Sequence, residues 1–346
     1  MKKPTSAIFG RSHFKAVVLA LSLCALLIVA PFLAHSHGQT EGGTLLTRQV
    51  RNNGVVTSSK NPLQIALLHW YNANLTTQFT AGTSPYGVAF DGANIWVALN
   101  GTGKVTKLRA NDGFNLGSFS VGTSPTGVAF DGANIWVANI NSNNVTKLRA
   151  SSGTVLGTFA VGTQPVGIAF DGTNIWVTNN GSGNVTKLKA SSGAVLGTFT
   201  VGTFPAAVAF DGTNIWVANN GSANVTKLST SGTTLGTFGV GSQPSGVAFD
   251  GTNIWVANFG SNNVTELATS GTVVGTFPAG SGPSGIAYDG ANIWVTNFNS
   301  TTVTKLLAST GATAGTFTVG SAPVAVAFDG ANIWVSNFNG TTVSKL

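Results

Sequence analysis

The sequence predicts an all-β protein whose bulk closes as a seven-bladed β-propeller of four-stranded blades. Three observations predict it. Tryptophan recurs at Trp96, Trp136, Trp176, Trp216, Trp255, Trp294 and Trp334, at intervals of 39 or 40 residues, and a fixed period of about 40–45 residues suits one propeller blade. Each of these tryptophans follows an Asp-Gly pair, a dipeptide strongly favoured in tight hairpin turns. Charged residues make up only 8% of the chain, against about 25% in an average globular protein. Gly, Thr, Ser, Asn and Val take their place, which favours strands and turns over helix.

One unit resolves into four short strands. Gly167–Phe170 leads through Asp171-Gly172 into Asn174–Thr178, and residues 179–183 loop into Val185–Leu188, where apolar and polar residues alternate as in a half-exposed strand. Ser191-Ser192-Gly193 then turns the chain into Val195–Thr200. A Gly-Thr-x-Pro bend enters the next blade, with Pro205 fixing φ in the connection.

Counting strands tests closure. The chain stops at Val343–Leu346, a third strand with no fourth after it, while Leu75–Phe79 matches the fourth-strand pattern and has no blade of its own. Pairing the two closes the ring over residues 75–346 and leaves only short sheet edges. Residues 61–74 begin Asn61-Pro62 and continue LQIALLHWY. They read as a capped short helix or connector packed on the propeller.

Ahead of the repeats, residues 1–15 are basic and polar, and residues 16–34 are apolar. Ala34-His35-Ser36 then offers small residues in the A-x-S pattern. Residues 1–36 read as a secretory signal or an uncleaved membrane anchor. Either reading places the propeller outside the cytoplasm, because the flanking positive charge stays inside. Residues 37–60 are polar and aperiodic and read as a flexible linker.

Charge narrows the function. The formal charge is +7, but +6 of it precedes residue 61, so the propeller lacks the basic surface that nucleic acid requires. The single cysteine, Cys24, lies in the apolar stretch, and none of the four histidines falls within the repeats. Serine-triad chemistry therefore has no base there. The acids beyond the turn aspartates are Asp112 and Glu266, in different blades, so no distinct carboxylate pair stands out for hydrolysis.

Trp176-Val177-Thr178-Asn179 and Trp294-Val295-Thr296-Asn297, with Gly-Ser-x-x-Val after the first, resemble the YVTN-type propeller repeats, with Trp in place of their Tyr. The Pro-x-Gly-Val-Ala-Phe-Asp-Gly run at 125–132 is also similar. The resemblance spans residues 75–346 and implies the fold, while propellers host many unrelated activities. Proteins of this kind include surface-layer and periplasmic proteins, a DNA-binding member and, more distantly, streptogramin lyases. The lyase resemblance implies a site needing His and Glu, whereas the repeats here hold no His and one Glu.

Near-identical blades direct attention to where the copies differ. The seven tryptophans, with Phe79, Phe119, Phe159, Phe199, Phe238, Phe277 and Phe317 of the fourth strands, read as packing between blades. The aspartates Asp91, Asp131, Asp171, Asp211, Asp250, Asp289 and Asp329 read as turn chemistry, with a cation-attracting carboxylate ring at one channel mouth as the functional alternative. Four positions after each tryptophan stand Asn100, Ile140, Asn180, Asn220, Phe259, Phe298 and Phe338. On the same face, beside the prolines, stand Tyr86 and Phe204. Phe259, Phe298, Phe338 and Tyr86 thus form an aromatic run that either contacts a partner or folds inward over the core, with Asn180 and Asn220 as hydrogen-bonding neighbours.

The expected function is non-catalytic binding or scaffolding through that loop face, with a protein or a cell-surface glycan as partner, no cofactor, and a monomeric propeller. A lyase- or hydrolase-type enzyme is the alternative, and a periplasmic DNA-binding propeller the second.

Overall fold

A computed structural model of the chain describes residues 47–52, 55–60 and 77–346. The chain divides into two units, Met1–Asn72 and Ala73–Leu346. The apolar stretch 16–34 and the helix expected over 61–74 lie outside the described residues. Among those described, no helix is long and apolar enough to cross a membrane.

Within residues 37–60 of the first unit the described residues form two strands. Thr47–Asn52 and Val55–Lys60 pair as an antiparallel hairpin, from Thr47 opposite Lys60 to Asn52 opposite Val55. The physical reason was in the sequence. Asn53-Gly54 separates two runs containing β-branched Thr47, Val50, Val55, Val56 and Thr57, the pattern of a two-residue hairpin.

The second unit is a ring of seven four-stranded antiparallel sheets. Blade one comprises Pro85–Phe90, Asn94–Leu99, Lys104–Arg109 and Asn115–Ser120, from axis to rim. Strand boundaries in blade three run one or two residues beyond the sequence pattern, at Pro165–Phe170, Asn174–Asn179 and Asn184–Lys189. Blade seven takes Pro323–Phe328, Ile333–Asn337 and Thr342–Lys345 from the C-terminus and Thr77–Thr80 from the other end of the unit. Phe79 lies opposite Val343 in that pairing, so the ring closes as the strand count required.

Inner strands meet around the axis at backbone distance. An ideal Cβ on Gly87 would lie 2.0 Å from the carbonyl oxygen of Thr126 in the next blade, so only glycine permits that approach.

The core lies between blades. Trp96 is fully buried with its own Val105 and with Ile135, Val137 and Leu148 of blade two. Trp334 repeats this against Ile95, Val97 and Leu108, carrying the packing across the closure from blade seven to blade one. Phe119 supports Trp96 at a centroid distance of 5.6 Å, and Phe79 supports Trp334 at 5.4 Å. Removing one such ring is expected to cost about 3–5 kcal/mol.

Two polar contacts complete the interface between blades one and two. Strand register sets Lys107 opposite Trp96; its Nζ lies 5.2 Å from the indole centroid and donates to the carbonyl of Ala150 in blade two at 2.7 Å. Lys147, Lys187, Lys227, Lys305 and Lys345 also sit over their tryptophans. Blade five departs from the pattern, because Glu266 lies opposite Trp255.

Candidate binding site at the channel mouth

The site is built by two loops per blade. One is the bend before each inner strand, whose pre-proline residue adopts positive φ, between 51° and 54° at Ser84, Ser124, Gln164, Phe204, Gln243 and Ala322. The other follows the second strand. The carbonyl of the bend residue accepts a hydrogen bond from the amide four residues after the tryptophan. Asn180 N donates to Gln164 O at 2.9 Å, Phe259 N to Gln243 O at 3.0 Å, and Phe298 N to Gly282 O at 2.8 Å. Side chains at both positions therefore crowd one end of the channel.

An axial cavity of about 610 Å³ opens there, within the range of about 300–1,000 Å³ usual for ligand pockets. At least one β-branched residue from every blade, such as Val88, Ile168 or Val247, lines its wall, while Tyr86, Asn180, Asn220, Gln243, Phe259 and Phe298 line its mouth. Among the described residues, Tyr86 is the one titratable group in this lining, and burial pushes its phenol above the ordinary value.

The aromatic residues form a continuous arc. Phe259 and Phe298 lie 6.1 Å apart between centroids, Phe298 and Phe338 also 6.1 Å, and Phe338 meets Tyr86 edge-on at 5.7 Å. These separations suit favourable aromatic pairing. All four residues are half-buried, so the rings neither disappear into the blade cores nor stand free. Gly282 lies against the arc: an ideal Cβ there would meet Asn299 Nδ2 at 2.7 Å and Phe259 Cε2 at 3.0 Å, and its φ is +66°.

Across the mouth the lining turns polar. Asn180 Nδ2 and Asn220 Nδ2 each donate a long bond, 3.4 Å, to the carbonyls of Pro205 and Pro244. No protein group donates to either amide oxygen among the described residues. Gln243 was not singled out from the sequence, nor was Phe204 chosen among the site residues. Phe204 is 56% exposed and holds positive φ directly before proline, a combination disfavoured twice over. The column of bend residues reads Ser, Ser, Gln, Phe, Gln, Gly, Ala. That column varies from blade to blade as the column after tryptophan does, and the variation is the signal that marks Gln243 and Phe204.

The turn aspartates are placed elsewhere. Asp171 accepts from the backbone amides of Thr173 and Asn174 at 2.9 and 2.6 Å, and from Trp176 Nε1 at 2.7 Å. Its counterparts Asp91, Asp131, Asp211, Asp250, Asp289 and Asp329 also accept from their own tryptophans. None of the seven lines the axial cavity, and among the described residues no three metal-ligating side chains gather. In place of a channel ring, each carboxylate is engaged within its own blade. Burial alone would raise these acids. Hydrogen bonds from indole and amide donors outweigh it at Asp91, Asp131, Asp171, Asp289 and Asp329, holding them below the ordinary value.

Glu266 is buried, with Asn253 Nδ2 donating to it at 2.6 Å. Burial raises its carboxyl, the Asp250 charge adds to that, and the Asn253 bond opposes both.

Comparison with known proteins supports the architecture. No protein-family model and no curated protein sequence matches the chain. Among solved structures, a streptogramin B lyase superposes with a TM-score of 0.68 at 18% identity, over 78% of this chain and 96% of that one. The hydrazine synthase of Kuenenia stuttgartiensis superposes with a TM-score of 0.70 at 20% identity, over the same shares. At such identity the likeness is one of fold, that of the β-propeller.

Proposed function

We propose that this protein is a non-catalytic extracytoplasmic binding or scaffold propeller that engages its partner through the channel mouth. The observation that carries this reading is the arc of Phe259, Phe298, Phe338 and Tyr86, half-buried rings each in contact with the next, of which Phe259, Phe298 and Tyr86 line an axial cavity. Aromatic patches with a polar rim mark interaction sites. Among the described residues the cavity lining offers no carboxylate, imidazole, thiol or amine, which supports binding over acid–base chemistry. The extracytoplasmic setting is supported by the basic, then apolar, N-terminal 34 residues.

Thermal unfolding of the full-length protein against glycans, cell-wall fragments, DNA and divalent cations tests the reading. A ligand at about 100 times its dissociation constant adds roughly 2.7 kcal/mol of stability. The stabilisation is expected to vanish in the triple variant Phe259→Ser, Phe298→Ser, Phe338→Ser while the ring still unfolds cooperatively. A ligand that stabilises the triple variant equally well would place binding elsewhere.

A further inference from the structure

We infer that the ligand group seated at the mouth is an uncharged saccharide ring, with its C–H face on the aromatic arc and its hydroxyl edge on the amides opposite. This inference rests on the mouth being the binding site and adds the chemistry of what occupies it.

Charge is the first discriminator. Among the described residues, Tyr86 is the one titratable group lining the cavity, and burial keeps its phenol neutral over a wider pH range. The turn aspartates accept bonds within their own blades and lie outside the lining. A charged ligand group entering this site would give up its hydration with no opposite charge to replace it.

Polarity is the second. A wholly apolar ligand would cover Asn180, Asn220 and Gln243 while satisfying none of them, and burying unpaired amides is costly. Asn180 and Asn220 direct Nδ2 at proline carbonyls, which leaves their amide oxygens available to accept from a ligand. Hydroxyl groups supply the donors. A polyol without an apolar face would in turn leave Phe259 and Phe298 uncovered. A pyranose carries both surfaces on one rigid ring, axial C–H groups on a face and hydroxyls around the edge. Contact of each of the four rings with the next, together with the seat of Phe259 on Gly282, holds the platform in place before any ligand arrives.

Saturation-transfer NMR on the full-length protein provides the test, with cellotetraose, maltotetraose and chitotetraose as neutral probes. Tetragalacturonate and the de-N-acetylated chitotetraose serve as anionic and cationic controls. At least one neutral probe should bind and receive saturation mainly at ring C–H protons. Phe298→Ser and Asn220→Ala should each weaken it about tenfold, and Phe298→Tyr should retain it, with the melting temperature of all three near that of the parent. Binding of charged probes alone, or of no probe at millimolar concentration, overturns the saccharide assignment. If a charged probe binds and Phe298→Ser abolishes it, the mouth stands as the site and only the ligand class falls. If a neutral probe binds Phe298→Ser, Phe298→Tyr and Asn220→Ala as tightly as the parent, the mouth itself is the wrong site.

Discussion

Trp176 Nε1 donates to Asp171 Oδ2 at 2.7 Å, and that bond joins the hairpin turn of a blade to the ring buried between it and the next. The carboxylate closes the turn through two backbone amides and at the same time satisfies the one polar atom of a fully buried indole. Asp171→Ala should therefore lose about 3 kcal/mol, because a buried indole donor and two amides are left unpaired. Urea unfolding of variant and parent measures the difference.

Acid should weaken the ring in a defined window. Asp91, Asp131, Asp171, Asp289 and Asp329 are held below the ordinary carboxylate value by their donors, against the opposing effect of burial. Their contribution is complete above the unfolded value of about 3.9 and is lost as pH falls through the lower folded values. Stability measured in urea should stay level from pH 7 to 5 as far as these aspartates govern it, then drop below about pH 4.

Glu266 runs the other way. Burial raises its folded value, so its ionisation opposes folding increasingly as pH rises above about 4.3. The other six blades show what the position accommodates, a lysine ammonium over the indole. Glu266→Lys should stabilise the protein by about 1 kcal/mol at pH 7, and the gain should shrink toward pH 4. Thermal unfolding at both pH values checks size and sign.

Phe204 carries strain that its neighbours reveal. Gly282 takes the equivalent conformation without penalty, whereas a non-glycine residue in the left-handed region costs about 1–2 kcal/mol. Glycine's extra chain entropy returns about 0.5–1 kcal/mol of that. Phe204→Gly should therefore stabilise the fold by about 0.5 kcal/mol, as denaturant unfolding would show.

Repetition explains how much of this was legible in the sequence. Seven copies of Trp, Asp-Gly and proline made the blade pattern and the closure by Thr77–Thr80 readable, because a strand left over at each end has one natural partner. The aromatic arc was readable only as a column of unusual residues. Whether Phe298 reaches Phe338 depends on how far blades rotate about the axis, which no local pattern states. The Trp176–Asp171 bond escaped because the same aspartate already had a sufficient role in the turn. The lysine over each indole escaped although its spacing is fixed: Lys107 follows Trp96 as Lys147 follows Trp136, and pairing register turns that spacing into contact. The hairpin of Thr47–Asn52 and Val55–Lys60 lies in a stretch of polar composition, where Asn53-Gly54 between two β-branched runs is its one local signal.

Photo-crosslinking in cells expressing the full-length protein tests the central claim most directly. A benzophenone side chain would be placed in turn at Phe338 in the arc and at Leu156, which is 43% exposed on an outer strand. Binding through the mouth predicts a discrete adduct from position 338 and none from position 156. An adduct from position 156 alone would contradict it and assign the contact to the rim.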